Sequence, residues 1–171
     1  MDINVTKNMC ITFIGMPGTG KSYTSKLLSQ KYDMPIIELD SIIEEKYNMT
    51  LPEIIKKYGE EEFKNIETNA ILSIDLNTPK LISPGGSVVY CKKGMDYLIN
   101  NNNVIIHLKT DFDILKERTE NFTNRGIVFN GQTPYELYKN REILYNKYAH
   151  ITINLSEKKE NEIYELFKFL E

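Results

Sequence analysis

Short, uninterrupted apolar runs alternate along this chain with longer stretches in which apolar residues recur every three or four positions. Residues 9–14 (MCITFI), 35–39 (PIIEL), 80–83 (KLIS), 104–108 (VIIHL) and 151–153 (ITI) are the runs, and each reads as a buried strand. Between them, Leu27 and Leu28 mark a helix over 22–31, and Asp40 opens a second with Ile42, Ile43 and Tyr47 at helical spacing. Thr50 stands where an N-cap is needed, with Pro52 and Glu53 in the first turn. Phe63, Ile66, Ala70, Ile71 and Ile74 form a helical stripe over 60–75. Thr110 is expected to cap the helix after the fourth strand. Thr133-Pro134-Tyr135-Glu136 is a capping box for a helix running to about Tyr148, and 157–170 closes the chain as an amphipathic helix.

Strands that are apolar throughout need cover on both faces. Strands and helices in alternation supply it, which predicts a three-layer α/β/α fold around a five-stranded, mostly parallel sheet. The alternation runs through all of residues 1–171 without an internal repeat or a Pro/Ser-rich linker, so one domain is expected. The Asn run at 100–103 reads as a solvated turn before the fourth strand.

Composition narrows the function classes. An apolar fraction of 41% is ordinary for a globular chain, and a net charge of −3 argues against nucleic acid as the main partner. No apolar run approaches the length of a membrane span, and the first fifteen residues lack the basic flank and cleavage site of a secretory signal. Cys10 and Cys91 are the only cysteines and form no CxxC pair, so neither a disulfide framework nor a zinc site is expected; a reduced, cytoplasmic enzyme is. His107 and His150 lie in or beside strand-like runs and read as structural.

In this architecture ligands sit beyond the carboxyl ends of the strands. The first strand ends in GMPGTGKS, residues 15–22, a GxxxxGK[ST] loop between a strand and a helix. Gly15, Gly18 and Gly20 let backbone N–H groups turn inward on phosphate oxygens, Lys21 reaches the outer phosphates, and the Ser22 hydroxyl is placed for Mg²⁺. The second strand ends in Glu38 and Asp40, two residues apart; in extended chain both carboxylates fall on one side, one toward Mg²⁺ and one toward a hydroxyl-bearing acceptor. Asp40 is equally placed to cap the helix that begins at Ser41. The third strand ends in SPGGSV, where Gly85 and Gly86 permit close approach of a ligand, or simply form a turn. The remaining cations are Arg118, Arg125 within a polar stretch at about 119–132 that reads as a lid, Arg141 and Lys64. A lone arginine on a helix is ordinarily a solvated residue, and Lys64 carries the same reading.

Together these spacings resemble the shikimate kinases, from Ile11 to about Asn154. ELDSIIEEK, YGEEEFKNIE, SPGGSVV, RTENFTNRGIVF and NREILYNKYAHITIN stand where that family carries its aspartate pair, its Gly-Glu/Phe-Arg/Glu signature, its triple glycine, its lid arginines and its closing Arg, Leu-Tyr and strand. The resemblance implies a P-loop kinase fold with a lid, and ATP-dependent phosphorylation of a hydroxyl on a small carboxylate-bearing ring by a monomer. It implies nucleotide contacts at Gly15, Pro17, Gly18, Thr19, Gly20, Lys21, Ser22, Tyr23, Arg118 and Asn154, and Mg²⁺ at Ser22 and Glu38. It implies acceptor contacts at Asp40, Lys64, Gly85, Gly86 and Arg141, with Lys21, Asp40 and Arg125 catalytic. Four positions depart from the family pattern. Glu38 replaces an aspartate, Lys64 an arginine and Pro84 a glycine, and RGIV stands for Arg-Pro-Leu-Leu in the lid. A kinase of the same fold for another hydroxylated metabolite, and a nucleotide-binding module without transfer, remain as alternatives.

Overall fold

Residues 6, 8–122, 126–156 and 158–170 are described by a computed structural model. Strands Cys10–Ile14 (β1), Ile36–Glu38 (β2), Leu81–Ser83 (β3), Asn103–Lys109 (β4) and Ile151–Asn154 (β5) form one parallel sheet in the order β2-β3-β1-β4-β5. The intervening helices are Lys21–Tyr32 (α1), Leu39–Tyr47 (α2), Leu51–Leu72 (α3), Lys92–Ile99 (α4), Phe112–Arg118 (α5), Pro134–Tyr148 (α6) and Glu160–Leu166 (α7). Ile11 pairs with Leu81 on one side of β1 and with Val104 on the other. From β1 the chain therefore leaves first toward β3 and β2 and later toward β4 and β5. That reversal opens a crevice beyond the carboxyl end of β1.

The period-two alternation of β1 serves two cores. Ile11 and Phe13 pack with Leu27, Leu28, Ile163 and Phe167 on one face, where the Phe13 and Phe167 rings meet edge-on at 5.8 Å. Ile14 packs on the other face with Ile54, Phe63, Ile71, Met95, Leu98, Leu137 and Tyr145. All five residues of β1 are buried, as a central strand covered on both sides must be.

The five expected strands are present, with ends displaced by a residue or so. α3 merges two expected helices across a break at Gly59, whose φ of 85° and ψ of 164° no helix allows. α4 lies outside the elements expected from the sequence: Gly94 and two lysines weaken its pattern, and only Gly94, Met95 and Leu98 are fully buried. Asn103 belongs to β4 rather than to a solvated turn. It is buried, accepts from Thr12 Oγ1 at 3.1 Å and donates to the Leu98 carbonyl at 3.2 Å. Thr110 does not cap α5; Asp111 holds that position, and Thr110 is buried. The closing helix is shorter than expected, with a 3-10 turn at Lys168–Leu170 after it. The capping box before α6 forms as written: Glu136 N donates to Thr133 Oγ1 at 3.3 Å and Thr133 N to Glu136 Oε2 at 2.9 Å.

Candidate active site

The loop joining β1 to α1 wraps around an ammonium group. Lys21 Nζ donates to the carbonyls of Gly15 at 2.9 Å and Met16 at 3.1 Å, and the side chain is only 9% exposed. Thr19 Oγ1 closes the same turn on the Met16 carbonyl at 2.9 Å. Gly15 is required by packing as much as by its φ of 150°, since a Cβ there would lie 2.4 Å from the Leu108 carbonyl oxygen of β4. The N-terminus of α1, a twelve-residue helix, opens on the loop with Gly20 before it, so unpaired N–H groups, helix dipole and ammonium face the same space.

Next to the loop, Ser22 Oγ donates to Glu38 Oε2 at 3.0 Å and lies 3.4 Å from Ser83 Oγ. Glu38 Oε1 is buried without a hydrogen-bond partner. A hydroxyl and a carboxylate with one uncommitted oxygen form a hard, all-oxygen donor set, which fits Mg²⁺. That ion takes one or two protein ligands and completes its shell with phosphate oxygens and water. Consistently, no cluster of three or more His, Cys, Asp or Glu side chains that could hold a metal alone occurs among the described residues.

The extended-chain argument for Glu38 and Asp40 does not hold. Glu38 ends β2, but Asp40 already sits in the first turn of α2. Nor does Asp40 cap that helix, because its Oδ1 is buried and makes no hydrogen bond. Burial pushes Asp40 up to about 6; the charge of Lys21 opposes this, and Glu44 and Glu38 add to it.

Both carboxylates open on a cavity of about 750 Å³ at the carboxyl ends of the strands. From the expected set it is lined by Pro17, Gly18, Gly20, Lys21, Ser22, Tyr23, Glu38, Asp40, Gly85, Gly86 and Arg118. Glu44, Leu51, Phe63, Glu67, Ser87 and Ile127 line it as well. Glu67 is the residue that sequence reasoning missed. It is fully buried, both its oxygens lie 2.7 Å from Ser87 Oγ, and burial pushes it up to about 8; Ser87 and Arg141 oppose that rise and Asp40 adds to it. Its signal was available: it follows Phe63 by four and precedes Ile71 by four, an acid in the middle of an apolar helical stripe. Gly85 packs tightly into this corner. A Cβ on it would stand 2.9 Å from both Asp40 Oδ1 and Glu67 Oε1.

Arg141 is not the solvated helix residue that a lone arginine suggests. At 1% exposure it is among the largest fully buried side chains; Nη2 donates to the Val128 carbonyl at 2.7 Å and Nε to the Tyr90 hydroxyl at 3.4 Å. It stands behind Gly86, where an added Cβ would lie 2.9 Å from Nη1. Lys64 is paired with Glu61 and sits 6.0 Å from the centre of the Tyr90 ring, outside the cavity lining. Gly15 and Thr19 lie inside the phosphate loop rather than on the lining. Asn154 ends β5, exposed, with Oδ1 accepting from Ser156 N at 2.8 Å, and does not line the cavity.

Arg125 lies outside the described residues. The stretch around it is less polar in space than in sequence: Phe122, Ile127 and Val128 are buried, and Gly126 is packed so closely that a Cβ would approach Leu51 Cβ to 2.2 Å. Burial pushes His107 down to about 4, so it is neutral at physiological pH, with its ring 5.0 Å from that of Tyr145. His150 Nδ1 accepts from the Ile105 amide at 2.9 Å, tying the turn before β5 to β4. Both cysteines are free and buried. Among the described residues no helix is long and apolar enough to cross a membrane.

Three comparisons with known proteins agree. The family model described as "Shikimate kinase" matches residues 17–171. A shikimate kinase of Staphylococcus aureus (strain MSSA476) is 35% identical over 141 residues, covering 81% of this chain and 80% of that protein. Among solved structures, the shikimate kinase from Acinetobacter baumannii in complex with shikimate superposes with a TM-score of 0.81 at 24% identity, covering 94% of this chain and 91% of that one. A gluconokinase from Sinorhizobium meliloti, similar at a TM-score of 0.57 and 14% identity over 94% of this chain and 90% of that one, shares the fold at greater distance.

Proposed function

The chain belongs to the shikimate kinase family, and on that premise we propose that it transfers the γ-phosphoryl group of ATP to a ring hydroxyl of shikimate. The observation that carries this reading is the continuity of the cavity. One space runs from Lys21 and Ser22 to Asp40, Glu67 and Gly85–Gly86, with the Arg141 guanidinium directly behind.

In this reading the phosphate loop holds the nucleotide through its amides, and Lys21 exchanges carbonyl partners for phosphate oxygens. Tyr23 and Arg118 flank the nucleotide, and Asn154 belongs to the same end of the sheet. Ser22 and Glu38 would hold Mg²⁺, and the ion would supply positive charge to offset the negative charge that develops during transfer. Asp40 accepts the proton of the attacking hydroxyl. With its carboxyl at about 6 it is ionised at neutral pH yet more basic than an ordinary aspartate, which suits a general base. Glu67, raised to about 8, carries a proton at neutrality, so it leaves the charge of Arg141 free for the acceptor's carboxylate. Lys64 adds a second cation without the two-pronged geometry of arginine. Gly85 and Gly86 admit the acceptor ring, and Arg125 meets the transferring group. All these residues come from one chain, so the reading needs no second copy, and free buried cysteines suit a reducing compartment such as the cytoplasm.

The test is ADP release measured in a coupled assay with ATP and Mg²⁺, with and without shikimate. Stimulation by shikimate at least tenfold over the acceptor-free rate is expected. Stimulation only by another hydroxylated metabolite would move the protein to a different substrate, and no stimulation by any acceptor would leave a nucleotide-binding module.

A further inference from the structure

Glu60 is the first residue after the break in α3, and its carboxylate is taken up by neither the helix nor a cation among the described contacts. Instead both oxygens accept backbone N–H groups from a segment distant along the chain: Phe129 N donates to Oε1 at 2.9 Å and Asn130 N to Oε2 at 3.0 Å. The Phe129 amide belongs to the same peptide group as the Val128 carbonyl, and that carbonyl accepts from Arg141 Nη2 at 2.7 Å. In a trans peptide the N–H and C=O point in opposite directions, and no described peptide bond is cis. One peptide plane is thus held between a carboxylate on one side and a guanidinium on the other. Each bond polarises the group in the sense that strengthens the other.

The break at Gly59 makes this geometry reachable. Its φ of 85° is a conformation that side chains rarely adopt, and the helix restarts at Glu60. Phe63 and Glu67, three and seven residues on, then share the face of the restarted helix that carries Glu60. The helix that presents Glu67 to the cavity is therefore also the one that grips the Val128–Phe129 peptide. Nη1 of Arg141 reaches Gly86 at the cavity wall only while Nη2 stays on Val128, because the guanidinium is planar and rigid.

We infer that Glu60 is a positioning residue for the acceptor side, holding the Val128–Phe129 peptide so that Arg141 is aimed past Gly86 at the acceptor's carboxylate. The inference rests on the reading above in which Arg141 binds that carboxylate.

Steady-state kinetics of Glu60→Gln and Glu60→Ala, with ATP and shikimate varied separately, test it. Glu60→Ala is expected to raise the KM for shikimate about tenfold, and Glu60→Gln, which keeps one accepting oxygen, about threefold. The KM for ATP and kcat should stay within about twofold of the parent. Glu62→Gln removes the same charge two residues away, where the carboxylate bonds only Asn65 Nδ2, and should change neither KM. Combining Glu60→Gln with Arg141→Lys should give no larger a rise than Arg141→Lys alone, because both act through one guanidinium. A normal shikimate KM in Glu60→Ala, beside a raised one in Arg141→Lys, would overturn the inference and leave the functional reading intact. A normal shikimate KM in Arg141→Lys itself would overturn that reading and the inference with it. Equal losses in both KM values and kcat would mark Glu60 as a general stabiliser, and fully additive effects in the double variant would separate it from Arg141.

Discussion

Five of the eight consecutive residues 15–22 line the end of the cavity assigned above to phosphate, two of them glycines that present only backbone. The end assigned to the acceptor draws Asp40, Glu67 and Gly85 to the lining from three separate segments, and Arg141 stands fully buried behind Gly86 rather than on the lining. The two halves teach different lessons about charge. At the first end the buried Lys21 ammonium is satisfied by loop carbonyls, which phosphate oxygens would replace in the proposed reading. On the acceptor side an acid raised to about 8, an acid raised to about 6 and a guanidinium at 1% exposure meet in one corner. There, dehydration decides which groups are charged.

The largest effect that would break this contrast concerns Lys21. Lys21→Ala should lower kcat by roughly a thousandfold, read from ADP release at saturating ATP and acceptor, because no other described side chain puts a cation inside the loop. A loss of only a few-fold would mean that the amides carry the phosphate side alone. Arg141→Lys should raise the acceptor KM by about tenfold, of the order of 1.4 kcal/mol, and leave the KM for ATP unchanged. Equal changes in both would erase the division into halves.

The last effect, read on stability rather than on turnover, sharpens the electrostatic side. Glu67 rises from its ordinary 4.5 to about 8 in the folded chain. The folded state therefore binds a proton that the unfolded state has lost, and stability falls as pH rises from about 4.5 through about 8. In Glu67→Gln that slope is absent, so the variant should gain on the parent between pH 5 and pH 8.5 by something on the order of a few kcal/mol. Urea unfolding at the two pH values measures it. Asp40, raised from 3.8 to about 6, adds a change of the same sign over a narrower and lower pH range, in both proteins. A variant with the parent's full slope would show that Glu67 is ionised throughout.

Local chemistry wrote the strands, the phosphate loop and the capping boxes in readable form. β1 needs nothing beyond its own apolar run, and Thr133 and Glu136 satisfy each other within one turn. Legibility failed where a polar residue is made to serve a distant element. Asn103 looked like turn and is a buried strut between β1, α4 and β4, and Thr110 looked like a cap and is core. Arg141 gives an intermediate case: its family position pointed to the site, while its own surroundings in sequence pointed to solvent.

What the amino-acid order determined by itself was everything carried by neighbours within a few residues: the parallel α/β layering, the anion-binding turn and the helix starts. What only the tertiary structure decided was the protonation and aim of the acceptor corner. Glu67 becomes a neutral acid because burial removes it from water, against the opposing pull of the Ser87 hydroxyl. Arg141 becomes a directed cation because the Val128 carbonyl, more than ten residues away along the chain, accepts a hydrogen bond from its Nη2. Burial and direction are properties of surroundings that come from elsewhere in the chain, so no local stretch of sequence can contain them.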